Sequence, residues 1–473
     1  MSEARQRRGR ARPWRWLLMA STPPVARWLS LVTLLVTLLL VVALVAYERP
    51  VPPEVCPDPD RQFEPQSDSQ QDASARIAVR VWPRSEQERA ELAALAHDVW
   101  SEHAGTELDL VLDPAGVTAL RSRGIEFTEL VSDVLGVAEQ ERERLRGVEA
   151  ARPPPPGEWF SEYRDLETIH AYLEQLARLR PELVELRTIG YSLEGRPLQV
   201  LRIHGNGSRN GNGVARGTDS VTIGAPGERP RRMFVDGGLH AREWISMMVT
   251  TCVADRLIRG YDDDPALRRF VDEVELWVLP VANPDGYVHS WRRDRYWRKN
   301  RRAGHGVDLN RNFGLAWGGD GSSGKPASSI YRGTAPFSEP ESAAIRSLME
   351  AERFDVHIDF HSYGQLVLHP WSHTRKRSSD HQRLRQAAEG IVTAIASEHG
   401  ERYRLISGAS LYPASGTLMD WAYGTQGVAS FVIELRPRGG TGFVLPPDQI
   451  VPTCDEGLAA VMSVHPASAL PHG

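Results

Sequence analysis

Two side chains that can bind a metal ion stand three positions apart within residues 235–245, VDGGLHAREWI. His240 offers an imidazole nitrogen and Glu243 offers a carboxylate oxygen, and both are ligand types that zinc takes in proteins. They lie at the junction between a glycine-containing loop and a predicted helix, so both side chains can face one point. Many such pairs are only polar residues on a helix surface. A catalytic zinc site needs a third protein ligand and an open fourth position.

His361 is the third ligand that the sequence offers. It follows residues 354–360, a mostly apolar run that is predicted to be a strand, and functional residues collect at strand ends in α/β sheets. His357 lies inside the same strand and is interpreted as a packed histidine rather than a ligand. The set of His240, Glu243 and His361 therefore predicts a site for one zinc ion.

Further polar residues suit the binding of a charged substrate. Arg298 lies in a strongly basic run, which by itself is typical of a solvated face. Asn310 and Arg311 place an amide beside a guanidinium, a pair suited to bidentate recognition of a carboxylate. Tyr412 adds a phenol in a loop. Glu434 puts an acid into an apolar strand, where it is costly unless it has a task or a partner.

These residues stand in motifs that resemble the zinc metallocarboxypeptidases, specifically the pancreatic carboxypeptidase A/B-like branch. The resemblance extends from Trp159 to about Val464, nearly the whole second half of the chain. In the order of the family, the motifs are 236–245, 283–287, 297–299, 308–313, 361–363, 412–415 and 434–436. Their joint occurrence is highly specific. The resemblance implies an exopeptidase that hydrolyses the C-terminal peptide bond of peptides or proteins.

The resemblance also implies the parts of the catalytic machinery. His240, Glu243 and His361 would hold the zinc ion, as two histidines and one glutamate do in carboxypeptidase A. Glu434 would be the general base that acts on a water molecule. Arg298 would stabilise the oxyanion of the tetrahedral intermediate, because a fixed positive charge favours the developing negative charge.

Substrate recognition follows from the same comparison of motifs. Asn310, Arg311 and Tyr412 would bind the C-terminal carboxylate of the substrate, with Arg242 assisting. An exopeptidase needs such a clamp and an endopeptidase does not. In the family, the residue before an Asp-Trp pair lines the pocket for the terminal side chain, and an acid there accompanies basic C-termini. This chain has Met419 at that position, which predicts apolar or aromatic C-terminal residues.

The resemblance implies that residues 159–467 form the catalytic domain, and helical and strand patterns alternate along them. Helices are predicted at 165–180, 244–261, 338–351, 380–398 and 452–464. Strands are predicted as a hairpin over 183–203 and singly at 233–236, 275–281, 354–360 and 430–435. The helix after Glu243 is expected to be amphipathic, and Ser338 with Glu341 forms a capping-box pattern. The α/β pattern and the resemblance imply a mixed eight-stranded sheet flanked by helices.

Residues 76–150, called the N-terminal unit below, show a separate pattern. Strands are predicted at 77–82, 108–112 and 125–130, and helices at 85–103, 114–123 and 134–148. This order predicts a small α+β open sandwich with an antiparallel sheet. The N-terminal unit has no catalytic constellation, and a folded spacer is one interpretation. The resemblance implies instead a pro-domain that covers the active-site cleft of a zymogen.

Linkers separate these parts. Residues 151–158 are rich in proline and are expected to be extended, and the arginines beside the prolines predict a cut site for an activating trypsin-like protease. Residues 48–75 are predicted to be a flexible linker. Residues 205–227 are rich in glycine and asparagine and are interpreted as a loose surface insertion.

The N-terminus predicts membrane attachment. Residues 1–27 are rich in arginine, and residues 28–47 are an uncharged run of about 20 residues, long enough to cross a bilayer. The arginines predict that 1–27 stay in the cytoplasm while the rest is exported. A cleaved signal peptide is the alternative. The catalytic domain is therefore expected on the exported side of a membrane, or secreted.

Net charge and cysteine content bear on the partners of the chain and on its disulfide bonds. A net charge of −5 over 473 residues argues against nucleic acid as a partner. The three cysteines, Cys56, Cys252 and Cys454, fit no disulfide framework. Cys252 is interpreted as a small core residue. A Cys252–Cys454 bridge and an intermolecular bond through Cys56 are the alternatives.

Two other functions fit parts of the pattern. One is a non-catalytic protein that uses this fold to bind peptide C-termini. The other is a zinc hydrolase that removes acyl groups from amino acids. Zinc content separates the first from a peptidase, and a comparison of peptides with acylated amino acids separates the second.

Overall fold

The computed structural model describes residues 75–100, 107–150, 157–205 and 231–464, all within the compact unit Ser74–Gly473. Predictions for 1–27, 28–47, most of 48–75 and Cys56 lie outside the described residues. Most of the segments 151–158 and 205–227 lie outside them as well. Among the residues that are described, no helix is long and apolar enough to cross a membrane.

The N-terminal unit contains a four-stranded antiparallel sheet with the order β2-β3-β1-β4. Its strands are β1 (Ile77–Val81), β2 (Asp98–Val99), β3 (Leu108–Leu112) and β4 (Phe127–Val131). Its helices are α1 (Glu86–Ala93), α2 (Pro114–Ser122) and α3 (Val134–Ala150). The predicted antiparallel sandwich is confirmed. The predicted first helix is too long, and β2 was missed because a strand of 2 residues carries no alternating pattern.

Side chains of this small sheet alternate between two faces. One face packs with α1 and α2 through Val79, Val81, Leu108, Leu110 and Leu112. The other face, with Ala78 and Val111, shares a buried cluster with Trp100, Tyr363 and Phe443. Because Tyr363 and Phe443 belong to the second half of the chain, the open face of the sandwich is covered by that half.

A mixed eight-stranded sheet forms the centre of the second half, as expected. Its strands are β5 (Val184–Tyr191), β6 (Pro197–Ile203), β7 (Arg231–Gly237), β8 (Val274–Leu279), β9 (Val356–Ser362), β10 (Leu366–His369), β11 (Arg404–Ser407) and β12 (Ala429–Leu435). Their order is β11-β10-β12-β9-β7-β8-β6-β5. The central strands β8, β7, β9 and β12 are mutually parallel, which brings their carboxyl ends to one edge of the sheet.

Helices cover both faces of this sheet. They are α4 (Leu166–Leu179), α5 (Trp244–Gly260), α6 (Pro265–Glu273), α7 (Pro284–Arg292), α8 (Pro340–Glu352), α9 (His381–His399), α10 (Gly408–Leu411), α11 (Leu418–Gln426) and α12 (Ile450–Ser463). The predicted helix at 165–180 is confirmed, since α4 is capped by the Asp165 side chain, which accepts from the Thr168 amide at 2.9 Å. One large apolar cluster lies on each face of the sheet.

Helix α5 differs from the amphipathic helix that the sequence predicted. It is buried on nearly all sides, with Arg256 and Arg259 among its few less buried residues. The reason is tertiary, because α12 packs against α5 and covers the side that faces away from the sheet. A second covering layer leaves no solvent-facing stripe.

A disulfide joins these two helices. Cys252 of α5 and Cys454 of α12 are bonded, with their Cα atoms 6.0 Å apart, and both are fully buried. The interpretation of Cys252 as a simple core cysteine is therefore wrong, and the bridge that stood as its alternative is present. The two residues are 202 positions apart, so spacing alone could not choose this pair.

The capping box predicted before α8 is also wrong. The helix begins at Pro340, and the residue before it, Glu339, makes no side-chain cap. Ser338 donates to the Glu339 carboxylate at 2.8 Å instead. Glu341 is fully buried and accepts from Asn300 Nδ2 at 3.3 Å. Burial, helped by the nearby charge of Asp285, raises the pKa of Glu341 to about 7.

Candidate metal and substrate site

His240 and Glu243 follow the carboxyl end of β7, where the chain turns sharply into α5. A Cβ added at Gly237 would lie 2.9 Å from the Ser246 carbonyl, so only glycine allows α5 to approach so closely. Gly238 adopts a φ of +73°, a conformation that favours glycine. The two glycines therefore direct the following residues back over the edge of the sheet.

His361 completes a cluster of three metal-binding side chains at that edge. It lies in β9, the parallel neighbour of β7. The Nδ1 atoms of His240 and His361 are 2.8 and 2.9 Å from the two oxygens of Glu243, and 3.1 Å from each other. All three residues are buried. The structure thus brings together the three ligands that the sequence predicted.

This donor set fits a zinc ion. One ligand atom from each residue lies within 4.8 Å of the other two, which lets all three reach one cation. Two imidazole nitrogens that face each other in a buried site repel unless a proton or a cation lies between them. Two nitrogens and one carboxylate oxygen, with a fourth position left for water, are the ligand pattern of catalytic zinc.

The outer nitrogens of both histidines are held by carboxylates that the sequence analysis did not single out. His240 Nε2 lies 3.2 Å from Asp308 Oδ1, and His361 Nε2 lies 2.8 Å from Asp359 Oδ2. Asp308 stands in a motif already quoted for the family. Asp359 could have been found from alternation, because it is two residues before His361 on one face of a strand.

Arg298 lies beside the metal ligands, as expected. Its guanidinium donates to Asp308 Oδ2 at 3.1 and 3.2 Å, and its Nη1 lies 3.8 Å from Glu243 Oε1. Burial alone would raise the pKa of Asp308, but Arg298, Arg311 and His240 outweigh it and hold that pKa well below its usual value. Asp308 therefore remains a carboxylate that fixes both Arg298 and His240.

Glu434 lies next to the cluster on the adjacent parallel strand. Its Cα is paired in register with that of His361 across β9 and β12, and with Leu366 of β10 on the other side. The side chain is almost fully buried. The sheet register therefore places an acid at the edge of the metal site.

The residues predicted to bind a carboxylate are also grouped. Arg311 Nη2 donates to the Tyr412 hydroxyl at 3.0 Å. Asn310 Nδ2 lies 3.3 Å from His361 Nε2, and Asn310 Oδ1 accepts from the Leu418 amide at 2.9 Å. Asn310 thus lies between the metal cluster and the start of α11. Its neighbour Arg311 contacts the loop that contains Tyr412.

Met419 belongs to a small apolar cluster beside Glu434. The cluster contains Leu366, Leu368, Leu411, Met419 and Val432. Leu366 is opposite Glu434, and Leu368 is opposite Val432, in the pairing of β10 with β12. Apolar side chains therefore begin immediately next to the acid and continue to Met419.

Arg242, which is predicted to assist in binding the substrate carboxylate, contacts the N-terminal unit. Its guanidinium donates to Asp98 Oδ2 at 2.7 Å and to the Val99 carbonyl at 3.3 Å. It also lies over the Phe443 ring, 4.2 Å from the centroid. Strand β2 therefore binds the guanidinium of a residue that is predicted to contact the substrate.

Two more contacts extend this interface around the site. Tyr363, two residues after His361, donates its hydroxyl to Asp109 Oδ2 at 3.0 Å. Trp100 stacks on Tyr296 with ring centroids 4.9 Å apart. Asp109 and Trp100 both belong to the N-terminal unit, which thus lies against the rim of the metal cluster.

Several known proteins are similar to this chain in sequence. A family model described as zinc carboxypeptidase matches residues 169–460. The chain is 35% identical over 406 residues to zinc carboxypeptidase A 1 of Anopheles gambiae, and this alignment covers 81% of this chain and 88% of that protein. It is 35% identical over 354 residues to carboxypeptidase B of Bos taurus, covering 73% and 78% of the two chains.

Solved structures agree with these sequence matches. The crystal structure of thrombin activatable fibrinolysis inhibitor has a TM-score of 0.71 at 30% identity, covering 83% of this chain and 98% of that one. The carboxypeptidase A of Helicoverpa armigera has the same TM-score of 0.71 at 26% identity, covering 84% and 98%.

Proposed function

We propose that this chain, which belongs to the zinc carboxypeptidase family and is thus a zinc-dependent C-terminal exopeptidase, prefers apolar or aromatic C-terminal residues. The observation that carries this preference is the apolar cluster of Met419, Leu366, Leu368, Leu411 and Val432 beside Glu434. Met419, at the position where an acid accompanies basic C-termini in the family, is one of its members and offers no charge to a basic C-terminal side chain, which would lose its hydration there.

The residues that would bind the C-terminal carboxylate, Asn310, Arg311 and Tyr412, support hydrolysis of the last peptide bond only. Arg311, held by the Tyr412 hydroxyl, and Asn310, held by the Leu418 amide, present a guanidinium and an amide close to the metal ligands. A guanidinium binds a carboxylate through two parallel hydrogen bonds, which a peptide bond inside a chain cannot accept. A substrate bound in this way has its last peptide bond beside the cluster.

The remaining roles follow from charge and position. A bound zinc ion lowers the pKa of water and polarises a carbonyl oxygen. Glu434 takes a proton from the attacking water and delivers it to the leaving amine, a role supported by its pairing with His361 across the two strands. Arg298, fixed by two hydrogen bonds to Asp308, stabilises negative charge on the former carbonyl oxygen.

The N-terminal unit acts as the pro-domain of a zymogen. The part-buried hydrogen bond from Arg242 to Asp98 and the buried one from Tyr363 to Asp109 support this role, because both couple the unit to residues beside the metal ligands. A substrate that uses Arg242 must displace Asp98. A trypsin-like protease that cuts at Arg152, or at Arg146 shortly before it, would separate the N-terminal unit from the catalytic domain.

Two features support a location outside the cytoplasm. The Cys252–Cys454 disulfide supports an oxidising compartment, where such bonds persist. The arginine-rich and apolar N-terminal sequences support export, with residues 28–47 either as a membrane anchor or as a cleaved signal peptide. Peptides and proteins outside the cytoplasm would then be the substrates.

The proposal is tested with the purified zinc-loaded protein and matched peptides ending in Phe, Leu, Lys or Glu. Mass spectrometry before and after limited trypsin should show loss of one C-terminal Phe or Leu, with much faster release after cleavage near 146–152. Preferential loss of Lys would contradict the apolar pocket. Equal rates before and after trypsin would contradict the zymogen. Zinc binding without any release would favour a protein that only binds peptide C-termini.

A further inference from the structure

One face of β9 carries a row of buried polar side chains. Residues His357, Asp359 and His361 alternate with Val356, Ile358 and Phe360, so the polar residues share one side of the strand. All three are buried, in the centre of the sheet. Burying an acid and two histidines is costly unless each has a hydrogen-bonding partner, so the partners of these three residues indicate what the row does.

The contacts of this row fall into two groups. Near the metal, His361 Nε2 lies 2.8 Å from Asp359 Oδ2. Farther from it, His357 Nε2 lies 2.7 Å from Asp236 Oδ1, and His357 Nδ1 lies 2.7 Å from Ser430 Oγ. The second group has the same chemistry as the first but contacts no metal ligand through these bonds.

The contacts of Nε2 determine which nitrogen of His361 carries a proton. The Asp359 carboxylate lies 2.8 Å from Nε2 and only accepts hydrogen bonds, whereas the Asn310 amide nitrogen lies 3.3 Å from it and only donates. The contact with Asp359 is shorter and its acceptor is charged, so it is the stronger one and favours the tautomer in which Nε2 is protonated. The lone pair of that tautomer is on Nδ1, the atom that faces Glu243 and His240 at 2.9 and 3.1 Å. The opposite tautomer would put a proton where a cation must bind.

We propose that Asp359 is a positioning residue of the metal centre, which fixes the tautomer and ring orientation of His361 and thereby sets the affinity for zinc. It acts through the ligand and touches neither substrate nor metal. Carboxylates that bind the outer nitrogen of a metal-binding histidine contribute about 10–100-fold to metal affinity. Asp308 makes the corresponding contact with His240, so the outer nitrogen of each imidazole faces a carboxylate.

This inference rests on the zinc site of the proposed function, and three variants of the full chain separate the two. Asp359→Ser removes the acceptor, and Asp359→Asn keeps the shape but removes the charge. Ser430→Ala is the matched control, because it deletes a buried hydrogen bond of the same row at the end far from the metal. The zinc dissociation constant is measured by competition with a chelator, and the visible spectrum of the cobalt-substituted protein reports ligand geometry.

Asp359→Ser should raise the zinc dissociation constant about 10–100-fold and change the cobalt spectrum, and Asp359→Asn should raise the constant about tenfold. Ser430→Ala should leave the zinc dissociation constant within twofold of wild type and the cobalt spectrum unchanged, while lowering thermal stability. Unchanged zinc affinity in both Asp359 variants would overturn the inference. If Asp359→Ser does not fold, an unchanged constant for Asp359→Asn alone overturns it. Wild-type protein that binds no zinc would instead defeat the proposed function.

Discussion

Replacing Asp98 by alanine removes the carboxylate that binds Arg242 at the rim of the metal centre. The bond is 2.7 Å long, and the Arg242 and Asp98 side chains are only 2% and 21% exposed. A hydrogen bond to a charged group contributes about 1.5–3 kcal/mol when it is shielded in this way. Every 1.4 kcal/mol changes an equilibrium about tenfold, so the N-terminal unit of the variant should open about 10–100 times more often.

The assay is the rate at which uncleaved protein releases Phe from a peptide C-terminus. If opening of the N-terminal unit limits access, Asp98→Ala should raise that rate about 10–100-fold over uncleaved wild type. After trypsin has removed the unit, both proteins should have the same kcat/KM, because residue 98 is then absent. Glu129→Ala is the matched control, since Glu129 is an exposed acid on β4 of the same unit.

Two results would refute this reasoning. Equal rates for uncleaved Asp98→Ala and wild type would mean that the Asp98–Arg242 bond does not limit access. An equal increase in Glu129→Ala would mean that the rate responds to the stability or charge of the N-terminal unit and not to this contact.

Three other changes have defined consequences. Met419→Asp puts an acid into the apolar cluster, so kcat/KM for peptides ending in Phe should fall at least about tenfold while that for Lys rises, and parallel loss on both peptides would contradict the pocket. The folded-state pKa of Glu341 is raised from 4.5 to about 7, so its contribution to stability is present below pH 4.5 and lost as the pH rises through 7. Glu341→Gln should therefore gain up to about 3 kcal/mol over wild type between pH 4 and pH 8 in denaturant unfolding, and a pH-independent difference would contradict that pKa. Replacing Cys252 and Cys454 together by alanine should lower the free energy of unfolding by about 2–5 kcal/mol, and no change would mean that the bridge does not form.

The sequence predicted the parts of this molecule that depend on motifs and on strong periodicity. His240, Glu243 and His361 could be named because ligand types at a loop and at a strand end are readable from local sequence. The hairpin of β5 and β6 and the helix α4 were predictable for the same reason, since each carries a clear apolar pattern.

Features that depend on a second segment of chain could not be read locally. Helix α5 has a sequence compatible with one exposed face, and only the packing of α12 buries that face. The partner of Arg242 is Asp98, 144 residues earlier, and no local pattern links the two. The Ser338 capping box failed because Ser338 accepts from Asn312 and Glu341 accepts from Asn300, both of which are distant in sequence.

Zinc-dependent release of a C-terminal residue is the most direct test of the central claim. Chelator-treated protein, cleaved by trypsin, is supplied with zinc in steps, and the products of two peptides ending in Phe are followed by mass spectrometry. One peptide has a free C-terminal carboxylate, and the other is amidated. We expect release of Phe from the free peptide to reach its maximum at one equivalent of zinc, with no release from the amidated peptide. Release without metal, or equal cleavage of both peptides, would contradict a zinc carboxypeptidase.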